Sequence, residues 1–317
     1  MVAVKCVLLT GGRAPATLEL ARLFHRAGHR VVMAESVRYH LSRPSRAIAR
    51  NYRVPPPAQA TAAYLYALRE IVEREKIDLL VPTCEEIFYV AQGHALLSPH
   101  CRVFAEPIER LRPLHNKWLF AQRAAEYGLL VPPTTLLTSQ AALRHCLDEG
   151  QEIVFKPVYS RFAAKTMLCP RPADALTLRP TPQQPWITQH FVAGRQICTY
   201  SIAHQGRIVA HAAYPTEFSA GQGATIRFRA IDHPASAAWV EAFVAQEGFT
   251  GQIAFDFIET PQGALYALEC NPRLTSGIHL LAEHPDLPLA FLGEITERIT
   301  PLGAAPSMLA LAMLLYA

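Results

Sequence analysis

Continuous apolar runs alternate with segments of helical period through the first third of this 317-residue sequence. An apolar run at 4–10 is followed by a helical pattern at 16–27 and by a second apolar run at 30–34. Strands that are apolar on both faces have to be covered on both faces, so this alternation predicts a parallel sheet with helices on either side. We therefore expect residues 1–115 to form an α/β domain of the doubly wound type.

The composition excludes several classes of protein. Apolar residues make up 50% of the chain and charged residues 18%, which is typical of a folded globular protein and not of a disordered one. The net charge is only +4 and the basic residues are scattered, so no nucleic-acid partner is indicated. The seven cysteines form no CxxC pair, which argues against a zinc site or a disulfide framework and favours reduced thiols in a cytoplasmic protein.

The two apolar ends of the chain do not indicate a membrane partner. The N-terminal run turns directly into a glycine pair, so it is interpreted as a first strand and not as a signal peptide. The C-terminal run SMLALAMLLYA is about half the length that a bilayer requires, and it predicts a core helix. Because this run stops without a capping residue, we expect that the natural protein continues beyond it.

From Asn116 onward the pattern changes to short β-rich runs that follow one amphipathic helix. The helix NKWLFAQRAAEYG ends at Gly128, and a stiff Val-Pro-Pro link follows it. Turn signals such as HQG and TPQG separate the later apolar runs. The second part of the chain, 116–317, is therefore predicted to be α+β with antiparallel hairpins.

Two strand-like runs near the end of the chain carry acidic side chains. Asp256 lies between Phe255 and Phe257, and after a hairpin Glu269 and Asn271 alternate with apolar residues. Because strand side chains alternate between faces, the hairpin can bring these polar groups together on one face. Two carboxylates held together in an apolar sheet repel each other, and a hard cation removes that repulsion. Carboxylate and amide oxygens suit Mg²⁺, so we predict a magnesium site there.

Basic and polar groups upstream suit the nucleotide that such a metal would accompany. Lys117 opens a helix, and Lys156 ends an apolar strand that should bury its stem, so that its ammonium needs an anion such as a triphosphate. A strand edge further along can offer backbone groups to an adenine ring, and Gln196 beyond it could reach ribose hydroxyls. This strand edge comprises Gln189, His190, Phe191 and Val192.

The chain resembles the ATP-grasp superfamily, in its carbamoyl-phosphate-synthetase-like, carboxylate–amine ligase branch. The resemblance rests on five features that occur in the order Lys117, Lys156, TQHFVAGRQ, FDF and LECNPR. The resemblance covers nearly the whole chain. It implies a Rossmann-like domain at 1–115 that precedes an ATP-grasp domain at 116–317. Within the second domain it implies a small lid subdomain at about 130–188 and a C-terminal subdomain that carries the metal.

The resemblance also implies a role for each candidate residue. Lys117 and Lys156 contact phosphates, and the strand edge at 189–192 is the adenine hinge. Gln196 stands where the family usually has a ribose-binding Glu. The phosphate-covering loop, usually rich in glycine, is VYSRFAAKT here, so side-chain charge replaces backbone contacts. The remaining roles are phosphate contacts from Arg161, Lys165 and Arg227, metal ligation by Asp256, Glu269 and Asn271, and substrate binding by Glu85 and Arg273, with Arg273, Arg227 and Lys156 as the catalytic set.

The function that these residues imply is ATP-dependent ligation of a carboxylate to an amine through an acyl phosphate. The implied cofactors are ATP and Mg²⁺, with Mn²⁺ as a substitute, and the partners are small-molecule carboxylate and amine substrates. The sequence leaves a homodimer open.

Alternatives to this ligase remain open. Bicarbonate could replace the carboxylate, or a thiol the amine. A degenerate ATP-binding module without turnover is a second alternative, supported by the glycine-free loop and by Gln196. A third is an NAD(P)-binding Rossmann protein, because TGGRAP follows the first strand and Glu35 ends the second.

Overall fold

The structure is a computed structural model. It describes residues 3–148, 152–160, 165–217, 219–220, 224–225, 227–295, 297–303 and 306–308. All seven cysteines lie in these ranges and are free thiols. Within the described residues, no helix is long and apolar enough to cross a bilayer.

A five-stranded parallel sheet forms the first part of the chain, as predicted. Its order is β3-β2-β1-β4-β5, the doubly wound arrangement in which the chain reverses direction beside β1. The strands are β1 (Cys6–Thr10), β2 (Arg30–Glu35), β3 (Arg50–Arg53), β4 (Leu79–Val81) and β5 (Arg102–Val103). The helices between and after them are α1 (Pro15–Arg26), α2 (Thr61–Glu75), α3 (Glu86–Gln92), α4 (His94–Leu97) and α5 (Ile108–His115).

Helix α1 illustrates how the sequence sets these elements. Pro15 begins it, because the missing N–H and fixed φ of proline suit the first helical position. The buried side chains of Leu20 and Phe24 are one turn apart and face the sheet. Gly28 at φ +85° ends the helix, since glycine adopts this left-handed conformation without steric cost.

A small antiparallel sheet follows, with the order β6-β9-β7-β8. It has its own core, to which Leu143 and Phe155 contribute fully buried side chains. Its strands are β6 (Thr134–Leu137), β7 (Ile153–Pro157), β8 (Met167–Leu168) and β9 (Trp186–His190). The helices of this region are α6 (Lys117–Glu126), α7 (Gln140–Asp148) and α8 (Pro172–Ala175). The domain limits at 115 and the lid limits at 130–188 stay predictions.

The longest strands form a four-stranded antiparallel sheet with the order β11-β10-β15-β16. Gln205 and Gly206, both at positive φ, make the tight turn between its first two strands. The elements are β10 (Arg195–His204), β11 (Arg207–Pro215), β12 (Ser219–Ala220), β13 (Ala224–Thr225), β14 (Arg227–Phe228), α9 (Pro234–Glu247), β15 (Gly251–Glu259), β16 (Leu265–Asn271), a 3₁₀ turn (Ser276–Leu280), α10 (Leu287–Leu292) and β17 (Ser307–Met308).

Each face of this sheet packs against a different layer. One face shares a core with the first sheet, in which Tyr200 and Ile202 lie in the same cluster as Val7 and Phe24. The other face packs against α6 and α9 through buried aromatic side chains such as Phe243. The long sheet is therefore held from both sides, which fixes the direction of every side chain along β15 and β16.

The C-terminal run departs from its prediction where the structure describes it. Ser307 and Met308 do not begin a core helix but form β17, which pairs antiparallel with β14. Phe228 of β14 is buried and contacts the aromatic ring of Tyr214. Residues 309–317 lie outside the described residues.

Candidate active site

The hairpin of β15 and β16 brings the predicted acids together. Asp256 lies directly opposite Glu269, and Asn271 lies opposite Ala254 in the same register. Phe255 and Phe257 on the other face pack against Trp239 of α9, and their ring centroids lie 5.1 and 5.2 Å from the Trp239 ring. Because neighbouring strand residues face opposite sides, this aromatic packing holds the Asp256 carboxyl on the same face as Glu269.

The two opposed carboxyl groups do not share the same electrostatic environment. Burial, and then the charge of Glu269, raise the pKa of Asp256 to about 7. Burial acts in the same direction on Glu269, but the ammonium groups of Lys117 and Lys156 outweigh it and lower the pKa of Glu269. Without a cation between them, the pair therefore holds its charge on Glu269, and Asp256 carries a proton below about pH 7.

Lys117 is the closest basic group to this pair. Its ammonium Nζ lies 3.0 Å from Glu269 Oε2, and it donates a hydrogen bond of 3.2 Å to Ser160 Oγ. Its side chain is only 3% exposed. The preceding Asn116 caps α6 by accepting hydrogen bonds from the N–H groups of residues 118 and 119. The cap places Lys117 in the first turn, from where its side chain reaches the long sheet.

Lys156 points from the end of β7 into the same buried region. Its Nζ donates a 2.8 Å hydrogen bond to Gln189 Oε1 on the neighbouring strand β9. Burial lowers the pKa of Lys156 to about 8, although Glu269 acts in the opposite direction. A neutral amide is its direct partner, so this lysine gains charge stabilisation when an anion enters the site.

The strand edge at 189–192 has fewer groups to offer a nucleotide than the sequence suggested. The Gln189 side chain is engaged by Lys156, and its Nε2 donates to Thr134 Oγ1 at 3.3 Å. The backbone N–H groups of His190 and Phe191 donate to carbonyl oxygens of Pro133 and Glu152, at 3.0 and 2.8 Å. An adenine ring would therefore need other groups of this edge, with Val192 the next residue along it.

Gln196 lies on β10 on the same face as Cys198. Cys198 pairs in register with Asp256, so Gln196, Cys198 and Asp256 share one face of the long sheet. The Gln196 backbone carbonyl accepts from the Thr216 N–H at 3.2 Å, and its side chain, on the same face as Asp256, is half-buried. This position agrees with the predicted contact to a sugar, and the contact itself stays a prediction.

Arg273 and Glu85 connect the long sheet to the first domain. Arg273 Nε lies 3.3 Å from Glu85 Oε1, and Arg273 NH2 donates to Asn271 Oδ1 at 3.1 Å. Glu85 follows β4, at the carboxyl edge where parallel sheets bind ligands. Both residues that were predicted to bind substrate therefore lie together beside the acidic pair.

Of the three remaining predicted phosphate contacts, the two that the structure describes, Lys165 and Arg227, are not brought into this cluster. Arg161 lies outside the described residues. Lys165 is exposed and adopts a positive φ of 65°. Arg227 pairs with Glu217 at 3.0 Å, and the same carboxylate also accepts from Arg229 at 2.6 Å. Their roles stay predictions.

Two neighbours of the cluster were not assigned a role from the sequence. Cys198 lies opposite Asp256, and its Sγ is 3.5 Å from Thr216 Oγ1. Burial raises the pKa of Cys198, so it remains a thiol beside the carboxyl pair. Ser160 accepts from Lys117. The two-residue spacing from Gln196 could have identified Cys198, whereas no local pattern distinguishes Ser160.

The oxygen set of this cluster suits a hard divalent cation. Asn271 Nδ2 donates to Glu269 Oε1 at 3.3 Å, so the amide lies beside the Glu269 carboxylate. The described residues contain no group of three or more His, Cys, Asp or Glu side chains that could hold a metal. Two carboxyl groups and an amide oxygen leave room for ligands from a phosphate, which is typical of Mg²⁺. The residues present thus fit the predicted ion.

Glu35, the acid of the NAD(P) alternative, is occupied by its own chain. Its side chain is 1% exposed and pairs with the Arg13 guanidinium at 2.8 Å. The same carboxylate accepts from the N–H groups of Ser36 and Val37, at 2.8 and 3.1 Å. A carboxylate with these partners is not available to ribose hydroxyls, which disfavours NAD(P) binding in the first domain.

No model of a protein family matches the sequence, and neither does any curated protein. Solved structures do match. The L-amino acid ligase from Bacillus licheniformis superposes with a TM-score of 0.75 at 15% identity, covering 95% of this chain and 79% of that one. N5-carboxyaminoimidazole synthetase from Staphylococcus aureus, complexed with ADP, gives 0.73 at 14% identity, covering 96% and 80%.

Biotin carboxylase from Campylobacter jejuni, as its β,γ-ATP complex, gives a TM-score of 0.71 at 12% identity, covering 92% of this chain and 71% of that one. At identities this low, the superpositions establish the fold alone. The chain has the ATP-grasp fold, as the resemblance predicted.

Proposed function

We propose that this protein is an ATP-dependent ligase that activates a carboxylate as an acyl phosphate and transfers the acyl group to an amine. The observation that carries the proposal is the charge arrangement on the long sheet. Two opposed carboxyl groups, Asp256 and Glu269, lie beside the buried ammonium groups of Lys117 and Lys156. Such an arrangement is costly unless a ligand that contains both cation and anion completes it.

The two lysines would bind the triphosphate. Lys117 now neutralises Glu269, and Lys156 has a neutral amide as its partner. When a phosphate chain enters, both ammonium groups gain anionic oxygens as partners. Mg²⁺ or Mn²⁺, held by Asp256, Glu269 and Asn271, would supply charge neutralisation between the carboxylates and the phosphate oxygens. The exchange of partners couples nucleotide binding to release of Lys117 from Glu269.

Arg273 would hold the carboxylate to be activated, because its guanidinium lies at the edge of the acidic pair and can bind a carboxylate with two hydrogen bonds. A carboxylate oxygen of the substrate attacks the γ-phosphorus, and ADP leaves. The amine then attacks the acyl carbon, phosphate leaves, and the amine proton passes to solvent. Positioned charge accounts for both steps, so no protein nucleophile is needed.

The similar structures support the same chemistry. They include an amino acid ligase and two kinds of carboxylating enzyme, with complexes that contain ADP or an ATP analogue. A biotin carboxylase domain from Hydrogenobacter thermophilus, complexed with MgADP and bicarbonate, superposes with a TM-score of 0.68 at 12% identity. Bicarbonate in place of an organic carboxylate is therefore the second candidate for the group that is phosphorylated.

The test is substrate-dependent formation of ADP. Purified protein is incubated with MgATP and a panel of carboxylates and amines, with bicarbonate as a separate arm. We expect ADP release with at least one pair, and loss of that release in Glu269→Gln. Glu283→Gln removes the same charge from an exposed position and is expected to retain activity.

Binding of a fluorescent ATP analogue is measured in parallel. Tight binding with no ADP from any pair would show a degenerate module without turnover and would contradict the ligase. Saturable NADH binding in a fluorescence titration would instead support the NAD(P) alternative.

A further inference from the structure

A pocket of about 330 Å³ lies between the first domain and the start of the loop after β7. Two of the residues that line it also contact the charged cluster. Ser160 accepts a hydrogen bond from Lys117, and Glu85 pairs with Arg273. The pocket therefore opens beside the groups proposed to bind the phosphate and the carboxylate, and its size suits a small ligand.

A larger pocket does not share this position. About 550 Å³ of open space lies on the small sheet, between β8 and α8, where Met167 and Asp174 are among its lining residues. None of its described lining residues belongs to the charged cluster. Position relative to the chemistry, and not volume, therefore selects the pocket beside Glu85.

Aromatic rings form one wall of the selected pocket. The Phe88 and His115 rings have centroids 4.7 Å apart, and the His115 and Tyr159 rings are 5.9 Å apart. The hydroxyl of Tyr159 accepts from Asn116 Nδ2 at 3.1 Å, which fixes this ring although it is 48% exposed. The three rings are tilted by 33° and 40° to one another, so they offer an uneven aromatic surface to an apolar group and π-electron density to a cation.

The charge of the pocket favours a cation over an anion. Glu85 contributes a carboxylate, and no Lys or Arg is found among the described residues that line the pocket. A phosphorylated sugar would therefore find no basic partner among the described residues that line the pocket. When a substrate carboxylate takes over the Arg273 guanidinium, the Glu85 carboxylate loses part of its present charge partner, and an ammonium group can replace it.

We propose that this pocket binds the amine substrate, and that this substrate is a primary amine attached to an aromatic or similarly flat apolar group. The amine is bound as an ammonium against Glu85 and loses one proton to solvent before its nitrogen attacks the acyl carbon, and the flat group lies along Phe88, His115 and Tyr159. The proposal rests on the proposed function, since it assigns the second substrate of that reaction. It places the amine next to the carboxylate held by Arg273, so that the two reacting groups meet at the Glu85–Arg273 contact.

The experiment measures binding, which does not depend on turnover. The protein is saturated with a non-hydrolysable ATP analogue, Mg²⁺ and acetate, so that a carboxylate is available to Arg273, and dissociation constants are determined by calorimetry for phenethylamine, 2-phenylethanol and pentylamine. We expect phenethylamine to bind roughly tenfold more tightly than the neutral alcohol, because a charge-assisted hydrogen bond to Glu85 is lost in the alcohol. We expect pentylamine to bind more weakly than phenethylamine, because it has no ring to place on the aromatic wall.

Two variants separate the contributions of charge and ring. Glu85→Gln should abolish the preference for the amine over the alcohol, whereas Glu109→Gln, an exposed carboxylate on α5 outside the pocket, should retain it. Tyr159→Leu should reduce the preference for phenethylamine over pentylamine. Binding of the ATP analogue confirms that each variant is folded.

Equal binding of amine and alcohol, or a preference that survives Glu85→Gln, would overturn the proposal even if the protein forms ADP with other substrates. Conversely, an amine preference that depends on Glu85 in a protein that forms no ADP would retain the pocket and reject the ligase.

Discussion

The ammonium group of Lys117 lies 3.0 Å from the Glu269 carboxylate, although the two residues belong to different layers of the molecule. Lys117 is buried at the start of α6, and Glu269 retains 25% exposure on β16. The ion pair therefore has one side open to a ligand and one side enclosed. Removal of only one of the two charged groups would leave the other charge unpaired and poorly solvated.

A double-mutant cycle tests this relationship. We expect Lys117→Met to destabilise the metal-free protein by roughly 2 kcal/mol, less than for a fully enclosed pair because solvent reaches Glu269. Glu269→Gln alone should also destabilise, since it leaves Lys117 without its carboxylate. The double variant should recover part of the loss. Urea unfolding in the presence of EDTA gives the free energy of unfolding of the parent, the two single variants and the double variant. If the two single losses add up to the loss in the double variant, the two groups are not coupled.

The pairing of Asp256 with Glu269 was predictable from the sequence, but that of Lys117 with Glu269 was not. The first depends on one hairpin, in which Phe255 and Phe257 fix the apolar face, although a bulge between Asp256 and Phe257, which the turn spacing does not predict, is what sets Glu269 opposite Asp256. The second depends on how α6 packs on β16, which no local pattern encodes. Strand order has the same limit, because the contact of Lys156 with Gln189 requires β9 to lie beside β7.

The aromatic pocket shows a related limit. Its wall combines Phe88 from α3, His115 from the end of α5 and Tyr159 from a loop of the second domain. Each of these residues is unremarkable in its own segment, and only the packing of three separate segments makes them a surface. Glu85 could be assigned to a substrate from its place after β4, whereas the chemical class of that substrate required the neighbours.

The protonation of Lys156 provides a test by pH. Burial lowers the pKa of this lysine to about 8 in the ligand-free protein, so its ammonium is lost as the pH rises through 8. We expect affinity for an ATP analogue to fall over that range, because the neutral amine no longer attracts phosphate. Gln189→Glu places a carboxylate at the 2.8 Å contact and should move the midpoint of this loss to higher pH by about one unit.

Fluorescence titrations of the ATP analogue between pH 6.5 and 9.5 measure this midpoint. Lys156→Arg serves as the control, since a guanidinium keeps its charge throughout the range and should remove the transition. The same midpoint in the parent protein and in Gln189→Glu would contradict the assigned contact.

His211 gives a prediction of stability against pH that is independent of ligands. It is buried in β11, where its Nδ1 lies 2.9 Å from Ser201 Oγ. Burial, together with the charges of Arg298 and His233, lowers its pKa to about 4. Between the unfolded value near 6.5 and pH 4 the unfolded chain binds a proton at this residue that the folded chain does not, so stability falls as the pH falls.

His211→Gln should reduce this acid-induced loss by up to about 1 kcal/mol per pH unit. Urea unfolding at intervals between pH 4.5 and 7 gives the slope. His25→Gln, a surface substitution on α1, is the matched control and should leave the slope of the parent unchanged. A slope in His211→Gln that equals the parent's would show that this histidine is not held neutral by the fold.

Gly194 links the strand edge at 189–192 to β10 at a point where the backbones are close. A Cβ added at Gly194 would lie 2.2 Å from the carbonyl oxygen of Glu259, a backbone atom that cannot move out of the way. Gly194→Ala should therefore push Ala193 and Val192 away from β15. We expect a loss of about 1–3 kcal/mol in stability, as for an overpacked site, and at least a severalfold weaker affinity for an ATP analogue.

Gly303→Ala, where an added Cβ meets no atom within 4 Å, should change neither quantity. Calorimetric titration and urea unfolding of both variants measure the two effects. Unaltered nucleotide affinity in a clearly destabilised Gly194→Ala protein would indicate that adenine does not bind along this edge.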